Sequence, residues 1–509
     1  MNLGDLVERQ ARSKPDKTAL HFQGEQVAYG ELDRRINRVA NALVGLGVGK
    51  GDRVAVQIGN RPDFIYSYYG ITRTGAVLVP LNVMYKAGEV EYIANDSGIK
   101  AIICDAPLYP VTAAIRSKVP TLQHVIVARE APDDSVVPLP AILERSQDAR
   151  PQVDIDPEDI AVVCYTSGTT GRPKGAMLTH NNLISNCEPF LTLPRCALGP
   201  DDIGMLVLPL FHIYGMNVTL GGATLVGGTA VVIERFDAEL VLSTIEQMRV
   251  TIFYGAPPMY IAMSNLETDR RFDLSSLRGA FSGAAALPVK VLERFNERYG
   301  VMIMEGYGLT ETSPVVCTNA AGCYTKPGSI GPPLEGVEVR IFDEHDREVP
   351  VGEVGELVVR GPNVFKGYLN MPEATAAAMT SGWFHTGDLA KVDADGYFYI
   401  VDRKKEMVLV SGFNVYPREV EEVLYRHPKV ADAAIIGVPD DYSGERVKAV
   451  IALHPGEVCS EEEIIAYCHE NLATFKCPKE VEFRPQLPKL PTGKVAKIEL
   501  RRGASPDSA

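Results

Sequence analysis

The sequence predicts a mixed α/β protein, with a large N-terminal domain of α/β layers and a smaller C-terminal α/β domain. Two observations support this fold class. The chain has 509 residues, which is more than one ordinary hydrophobic core accommodates. Short β-rich runs also alternate with helical patterns, which indicates layers built on mainly parallel sheets. The predicted strands span 53–58, 76–81, 101–104, 124–128, 160–165, 205–210, 229–234 and 250–255.

A β-rich stretch follows these layers and has no helical pattern between its strands. Its apolar runs span 337–343, 355–361 and 396–402. Strands that follow one another without crossover helices pair most simply as antiparallel neighbours. We therefore expect a small β-barrel-like part or an antiparallel sheet at the end of the N-terminal domain.

The organisation changes again after Asp402. The charged stretch "DRKKE" (402–406) is a polar connector, and we place the domain boundary there. The boundary divides the chain into an N-terminal domain at 1–402 and a C-terminal domain at 403–509. The elements predicted beyond it are an amphipathic helix at 416–427, strands at 431–439 and 447–453, and a helix at 460–472.

Composition argues against several classes of function. The net charge of −14 disfavours non-specific binding to nucleic acid, which selects basic surfaces. The nine cysteines are an odd number without a Cys-x-x-Cys pair, so neither a disulfide framework nor a zinc site is expected. The N-terminus does not resemble a signal peptide, and no run reaches the length of about 18 apolar residues that spans a membrane. A cytoplasmic protein with reduced thiols is predicted.

The stretch "YTSGTTGRPKGAMLTH" (165–180) combines hydroxyl side chains, glycines and one lysine. Backbone N–H groups and hydroxyls of such a loop donate to phosphate oxygens, and the ammonium of Lys174 supplies the counter-charge. The loop is not a P-loop, because Pro173 stands at the second glycine and Gly175 at the magnesium-binding hydroxyl. We predict a phosphate-binding loop of another design. A flexible surface loop is the alternative for this segment alone.

Four further motifs follow the loop. They are "EGYGLTETSP" (305–314), "WFHTGDLA" (383–390), "DRKKEMVLVSGFNVYPREVEEV" (402–423) and "LPKLPTGKVAK" (487–497). With the loop, these motifs and their order resemble the adenylate-forming acyl-CoA synthetases, a family that includes firefly luciferase and the adenylation domains of peptide synthetases. The resemblance covers essentially residues 1 to 500 and is closest to bacterial fatty-acid–CoA ligases.

The resemblance implies how the phosphates of ATP are held. The hydroxyl-rich loop and its lysine would surround the β- and γ-phosphates. The residues concerned are Thr166, Ser167, Gly168, Thr169, Thr170 and Lys174. Glu311 would bind Mg²⁺, which takes few protein ligands on nucleotides, and Thr310 would donate to phosphate.

The nucleoside would lie between two other motifs. Asp388 would accept hydrogen bonds from both ribose hydroxyls, and Arg403 would contact ribose or phosphate. Tyr307 would stack on adenine, with the backbone of 282–287 on the opposite side. The other residues that the resemblance places at the nucleotide are Ala284, Glu305 and Gly306.

The two half-reactions are assigned to the C-terminal motifs. Lys494 would offset the charge that builds between the substrate carboxylate and the α-phosphate. His212 lies near the expected acyl site as a gate, although a buried structural histidine explains it equally well. Lys405 matches the family's hinge, about which a mobile C-terminal domain would rotate to admit coenzyme A. Backbone near Gly412 would line the pantetheine channel, and the residues that hold the CoA nucleotide stay open.

The class of acid is predicted from the absence of residues that mark other substrates in the family. Amino-acid-activating relatives have an aspartate at the position of His212, and malonate-activating relatives have an arginine at Gly306. Acetate-specific relatives have a tryptophan there. An uncharged and roomy site favours a medium- or long-chain fatty acid, with an aryl or arylalkenyl acid (4-coumarate-like) as the alternative. Nearby apolar residues would line a tunnel or simply belong to the core: Met216, Val218 and Leu220.

The expected activity is therefore ATP-dependent acyl-CoA formation through acyl-AMP, with release of pyrophosphate. Its partners would be a small carboxylic acid, ATP and coenzyme A, and a homodimer stays open. A P-loop kinase or ATPase, which forms ADP, is the first competing class. A non-catalytic acyl-nucleotide binder is the second. Luciferase-like oxygenation and loading of a carrier protein also stay open, because acceptor choice leaves little trace in sequence.

Overall fold

The computed structural model describes residues 1–129, 136–166, 173–440, 443–489 and 494–502. In these ranges the strands are β1 (Thr18–Phe22), β2 (Glu25–Ala28), β3 (Arg53–Gln57), β4 (Val77–Pro80), β5 (Ala101–Cys104), β6 (His124–Val127), β7 (Val137–Pro138), β8 (Ile160–Thr166), β9 (Lys174–Thr179), β10 (Ile203–Leu206), β11 (Thr229–Val232), β12 (Ile252–Gly255), β13 (Gly279–Ser282), β14 (Ile303–Gly308), β15 (Val315–Thr318), β16 (Glu338–Phe342), β17 (Gly355–Arg360), β18 (Gly367–Tyr368), β19 (Met379–Thr380), β20 (Trp383–Val392), β21 (Phe398–Arg403), β22 (Val408–Val410), β23 (Phe413–Val415), β24 (Val430–Asp440), β25 (Gly444–Leu453) and β26 (Glu480–Phe483).

The α-helices of the described ranges are α1 (Leu3–Ser13), α2 (Tyr29–Gly45), α3 (Pro62–Arg73), α4 (Ala87–Ser97), α5 (Tyr109–Ile115), α6 (Leu139–Arg145), α7 (His180–Cys187), α8 (Gly222–Val226), α9 (Ala238–Met248), α10 (Pro257–Ser264), α11 (Val289–Tyr299), α12 (Pro372–Ala378), α13 (Pro417–Leu424), α14 (Glu461–Asn471) and α15 (Lys497–Arg502). A π-helix spans Tyr214–Gly221. None of the helices in the described ranges combines the length and apolar character needed to cross a bilayer.

Local sequence explains several helix ends. The Thr179 hydroxyl accepts from the backbone N–H of Asn182 and so caps α7 immediately after the phosphate-loop hairpin. Asp237 caps α9 in the same way, and Ser460 caps α14. Helix α11 ends at Gly300, whose φ of +69° is the left-handed conformation that glycine adopts at low cost.

Two eight-stranded sheets form the large N-terminal domain. Their strand orders are β15-β14-β13-β12-β10-β11-β1-β2 and β18-β9-β8-β4-β3-β5-β6-β7. The central pairs are parallel, whereas the outer pairs β1–β2, β14–β15, β8–β9 and β9–β18 are antiparallel. The prediction of mainly parallel α/β layers is therefore confirmed. Strands β8 and β14 both end at segments that the sequence assigns to the nucleotide.

The β-rich stretch forms a third sheet. Its strands run β16-β17-β20-β19, with β21 paired to β20, and every pair is antiparallel. The smaller C-terminal domain holds a sheet of order β23-β22-β25-β24, with β26 parallel to β25. Helices α13 and α14 pack on that sheet through Val420, Leu424 and Ile464. The predicted elements of both regions are confirmed.

Candidate active site

The phosphate loop connects the two strands of a tight hairpin. Thr166 at the end of β8 is paired with Lys174 at the start of β9, and its hydroxyl lies 3.5 Å from the Lys174 carbonyl oxygen. A Cβ atom at Gly175 would lie 2.8 Å from Cγ1 of Val163 and 3.1 Å from Cζ of Tyr165. This crowding explains why glycine follows the lysine. The predicted loop residues Ser167, Gly168, Thr169 and Thr170 lie outside the described residues.

A polar chain runs from Lys174 to Glu311. The Lys174 ammonium lies 5.0 Å from the centre of the Tyr368 ring, and the Tyr368 hydroxyl donates to Oε1 of Glu311 at 2.8 Å. Tyr368 reaches this place because β18 pairs with β9. Tyr368 was missed by the sequence analysis, since only this long-range pairing identifies it.

Glu311 lies in a short 3₁₀ turn with Thr310, just beyond β14. Its side chain is buried, and burial raises the pKa of its carboxyl. A buried carboxylate retains a charge only with a compensating partner, and here that partner is a neutral hydroxyl. The donor set of one carboxylate with neighbouring hydroxyls fits a magnesium ion that takes its other ligands from phosphates and water.

Asp388 is the centre of the second half of the site. Its Oδ2 accepts from the Tyr307 hydroxyl at 2.5 Å, and its Oδ1 lies 3.1 Å from Nε of Arg403. Arg403 is its direct partner in the β20–β21 pair. The Asp388 side chain is only 5% exposed, whereas that of Arg403 is 42% exposed. The structure therefore brings together three residues that the sequence assigned to the nucleoside.

The segment 282–287 lies beside Glu305. The Glu305 carboxylate accepts from the backbone N–H of Leu287 at 3.2 Å, and its other oxygen has no hydrogen-bond partner among the described residues. Burial raises the pKa of Glu305 to about 7. Ala284 has a φ of +71°, a conformation that costs energy for a residue with a Cβ and that clusters at functional sites. A Cβ at Gly306 would lie 3.3 Å from the Cys317 carbonyl oxygen.

Lys494 reaches this site from the C-terminal domain. Its charge interacts with those of Arg403 and Asp388. His212 is also close enough to respond to the Lys494 charge. Burial, and then that charge, lower the pKa of His212 to about 4. The Nδ1 atom of His212 accepts from the backbone N–H of Tyr214 at 3.2 Å. The imidazole is thus neutral at physiological pH.

Two predicted residues lie in turns of the C-terminal domain. Lys405 is part of a turn closed by the hydrogen bond from the Glu406 N–H to the Arg403 carbonyl oxygen at 2.9 Å. Gly412 follows Ser411 in a two-residue loop between β22 and β23, and both residues have positive φ. That geometry is typical of a type I′ hairpin turn.

Comparison with known proteins identifies the family. The model of AMP-binding enzymes matches residues 7–369, and that of the AMP-binding enzyme C-terminal domain matches 419–494. The chain belongs to this family. It is thus a member of the adenylate-forming acyl-CoA synthetase superfamily, as the motifs indicated.

This AMP-binding enzyme is similar to CoA ligases and synthases along almost the whole length of both chains. A feruloyl-CoA synthase of Amycolatopsis sp is 40% identical, with 98% of both chains covered. A long-chain-fatty-acid–CoA ligase of Bacillus subtilis (strain 168) is 36% identical, covering 98% of this chain and 94% of the relative. The chain is therefore an ATP-dependent, AMP-forming acid–thiol ligase.

Solved structures of two similar proteins have the same fold. The anthranilate CoA ligase AuaEII in complex with anthranoyl-AMP is 32% identical, with a TM-score of 0.93 over 99% of this chain and 97% of that one. ATP-bound MatB from Rhodopseudomonas palustris is 35% identical, with a TM-score of 0.91 over 99% of both chains.

Proposed function

We propose that this AMP-binding enzyme joins a medium- or long-chain fatty acid to coenzyme A through an acyl-AMP intermediate. One observation carries the reaction sequence: Lys494, from the C-terminal domain, lies within charge-interaction distance of Asp388, Arg403 and His212. A lysine at the meeting point of a nucleoside group and a neutral acyl-site residue is placed to contact an acid and an α-phosphate together.

In the first half-reaction a carboxylate oxygen attacks the α-phosphorus of ATP. An O–P bond forms, the α–β phosphoanhydride bond breaks, and pyrophosphate leaves. Lys174 and the hydroxyl-rich loop hold the departing phosphates, while Lys494 offsets the charge on the α-phosphate. Asp388 and Arg403 fix the ribose. A magnesium ion held by Glu311 would supply further charge neutralisation to the phosphates.

In the second half-reaction the thiol sulfur of coenzyme A attacks the acyl carbon. A C–S bond forms, the bond from the acyl carbon to the AMP oxygen breaks, and the thiol proton passes to solvent. We propose that the domains 1–402 and 403–509 rotate about Lys405 between the two steps. The position of Lys405 inside a single turn supports this, because a few residues at an element's end absorb such a change. Backbone at Gly412 would then line the pantetheine channel.

The proposed acid follows from an acyl site without charge. His212 is neutral, and Gly306 supplies no side chain, so neither residue pairs with a substrate ammonium or a second carboxylate. Curated fatty-acid–CoA ligases among the relatives agree with such a substrate. Met216, Val218 and Leu220 lie in the main hydrophobic core, where packing accounts for them. They therefore add no support for a tunnel.

An aryl or arylalkenyl acid is the second candidate, and an aromatic cluster favours it. The Tyr214 ring lies edge-on to Tyr254 at 6.3 Å, and Tyr254 stacks on Phe281 at 5.1 Å. A Cβ at Gly283 would lie 3.0 Å from the Tyr214 ring, so the cluster adjoins the 282–287 segment. Flat rings pack well against such side chains. The relatives that act on ferulate and anthranilate are consistent with this candidate.

A panel of acids separates the candidates. We expect kcat/KM for pyrophosphate release to rise about fourfold per added CH₂, which corresponds to about 0.8 kcal/mol, until the chain fills the site. Gly306→Trp should shift the optimum to shorter acids, with Gly45→Ala, at the end of α2 where a Cβ would meet no neighbouring atom, as a control distant in sequence. Preference for ferulate or 4-coumarate over every fatty acid would favour the second candidate. Preference for acetate, malonate or an amino acid would contradict both.

The same assay gives a pH prediction. Burial, and then the nearby Arg403 charge, lower the pKa of Lys494 to about 8. Only the protonated ammonium offsets phosphate charge, so adenylation should be active below this pKa and lost as the pH rises through it. The kcat/KM profile reports the free enzyme and should show an alkaline limb near pH 8. In Lys494→Arg the limb should disappear; its persistence there would assign it to another group.

We propose that the enzyme acts in the cytoplasm. All nine cysteines are free thiols, and seven of them are buried. Buried unpaired thiols agree with a reducing compartment.

A further inference from the structure

Lys497 lies three residues beyond Lys494 and begins α15. Its side chain is only 14% exposed. The ammonium lies 2.7 Å from Oε1 of Glu421 and 3.4 Å from Oε2 of Glu406. A lysine removed from solvent in this way is costly unless its partners compensate, and here two carboxylates do so.

A further contact fixes the position of each of these two glutamates. Glu421 on α13 accepts from the backbone N–H of Ile435 in β24 at 2.8 Å. Glu406 closes the turn that begins at Arg403. The Lys497 ammonium therefore ties the segment of Lys494 to the turn that also presents Arg403 to Asp388.

Helix α13 is in turn attached to the N-terminal domain. The backbone N–H of Arg418 donates to Oδ2 of Asp402 at 2.9 Å, and the Arg418 guanidinium donates to the Ile400 carbonyl oxygen at 2.8 Å. Both acceptors lie on β21, the strand that pairs with the Asp388 strand. An unbroken series of polar contacts thus leads from β21 through α13 to Lys497.

We propose that Lys497 is a positioning residue that sets the location of Lys494 for adenylation. This inference rests on the proposed function, because it assigns Lys497 no contact with substrate and acts only through Lys494. A displacement of about 1 Å at a reacting group costs up to about 10²-fold in rate. A methionine would fill the space of Lys497 but would leave Glu421 and Glu406 without their common partner.

The test compares Lys497→Met with the same substitution at another lysine that pairs with helix α13. Lys476 pairs with Glu419 of α13 at 2.6 Å but contacts neither Glu406 nor Glu421 among the described residues, so Lys476→Met is the control. Glu406→Gln is a milder second variant, which weakens the contact with the turn and also removes a negative charge that acts on Lys494 and Arg403. Lys497→Arg should restore the charge. Each variant is purified as the full chain, and its thermal unfolding is recorded first.

The two half-reactions are measured separately, as acid-dependent ATP–pyrophosphate exchange and as thioester formation from preformed acyl-AMP. We expect Lys497→Met to lower exchange by about 10- to 100-fold and Glu406→Gln by a smaller factor, with transfer changed less than about twofold. Lys476→Met should match the wild type, and Lys497→Arg should recover most of the exchange. In a Lys494→Ala background, Lys497→Met should have no further effect on exchange.

Equal losses in both half-reactions would overturn the inference, and so would a further loss in the Lys494→Ala background. If Lys497→Met does not fold, Glu406→Gln decides the matter: unchanged exchange in that variant overturns the inference. Absence of exchange in the wild type with every acid would instead contradict the proposed function. The two failures are therefore distinguishable.

Discussion

Replacement of Lys494 by alanine should abolish most adenylation and leave thioester formation from preformed acyl-AMP nearly intact. In the structure Lys494 is partly buried, and its charge interacts with those of Arg403 and Asp388. Loss of a charge contact made in the transition state typically costs about 2.7–4 kcal/mol, or roughly 10²–10³ in rate. We expect a loss of that order in ATP–pyrophosphate exchange.

The control for this experiment is Lys489→Ala. Lys489 belongs to the same C-terminal motif, but its ammonium pairs with Asp432 at 2.8 Å on β24. Its removal should leave both half-reactions within about twofold of the wild type, because Asp432 has no contact with the candidate site among the described residues. Equal losses in adenylation and transfer after Lys494→Ala would contradict the proposed rotation of the C-terminal domain.

Replacement of Glu311 by glutamine should have the second-largest effect. The amide keeps the shape of the side chain but removes the negative charge that would hold a divalent cation. Such an ion contributes several kcal/mol to phosphoryl chemistry, so adenylation should fall on the order of 10²-fold. The concentration of Mg²⁺ needed for half-maximal exchange should rise as well, and titration with MgCl₂ at fixed ATP measures it.

The control is Tyr368→Phe, which removes the hydrogen bond to Glu311 and leaves its carboxylate in place. Loss of a hydrogen bond to a charged group typically lowers the free energy of unfolding by about 1.5–3 kcal/mol. The Mg²⁺ dependence should not change, because the carboxylate that would hold the cation is still present. An unaltered Mg²⁺ requirement in Glu311→Gln would show that another group holds the cation. Lower stability of the variant, recorded by thermal unfolding, is judged separately from this requirement.

The sequence predicted many of the strands, such as β3, β8 and β25, because each of these is a short apolar run flanked by turn residues. The parallel layers, the antiparallel third sheet and the C-terminal elements all agree with those runs. The order of the strands within the sheets could not be predicted from these local patterns, because contacts between residues far apart in the chain determine it. The pairing of β18 with β9 is an example, and it alone brings Tyr368 to Glu311.

In the candidate site, too, the sequence identified individual residues, whereas their contacts are visible only in the structure. The sequence motifs identified Tyr307, Asp388 and Arg403 as separate candidates. The structure shows in addition that the three side chains form one hydrogen-bonded and ion-paired group. Their roles toward ATP stay predictions. Lys497 escaped notice because a lysine near the C-terminus is ordinarily solvated, and only its two carboxylate partners mark it as different.

The ion pair between Asp388 and Arg403 has a thermodynamic consequence. Arg403 is both the partner of a carboxylate in the candidate nucleotide site and the first residue of the turn at the proposed domain boundary. In the proposed function, a ribose bound by Asp388 would compete for Oδ1, the oxygen that faces Arg403, and so would change the free energy of that turn. Because linkage is reciprocal, whatever stabilises one geometry of the turn alters nucleotide affinity by the same factor. If the proposed ribose site and domain rotation hold, occupancy of the sugar subsite and the angle between the domains would be one coupled equilibrium.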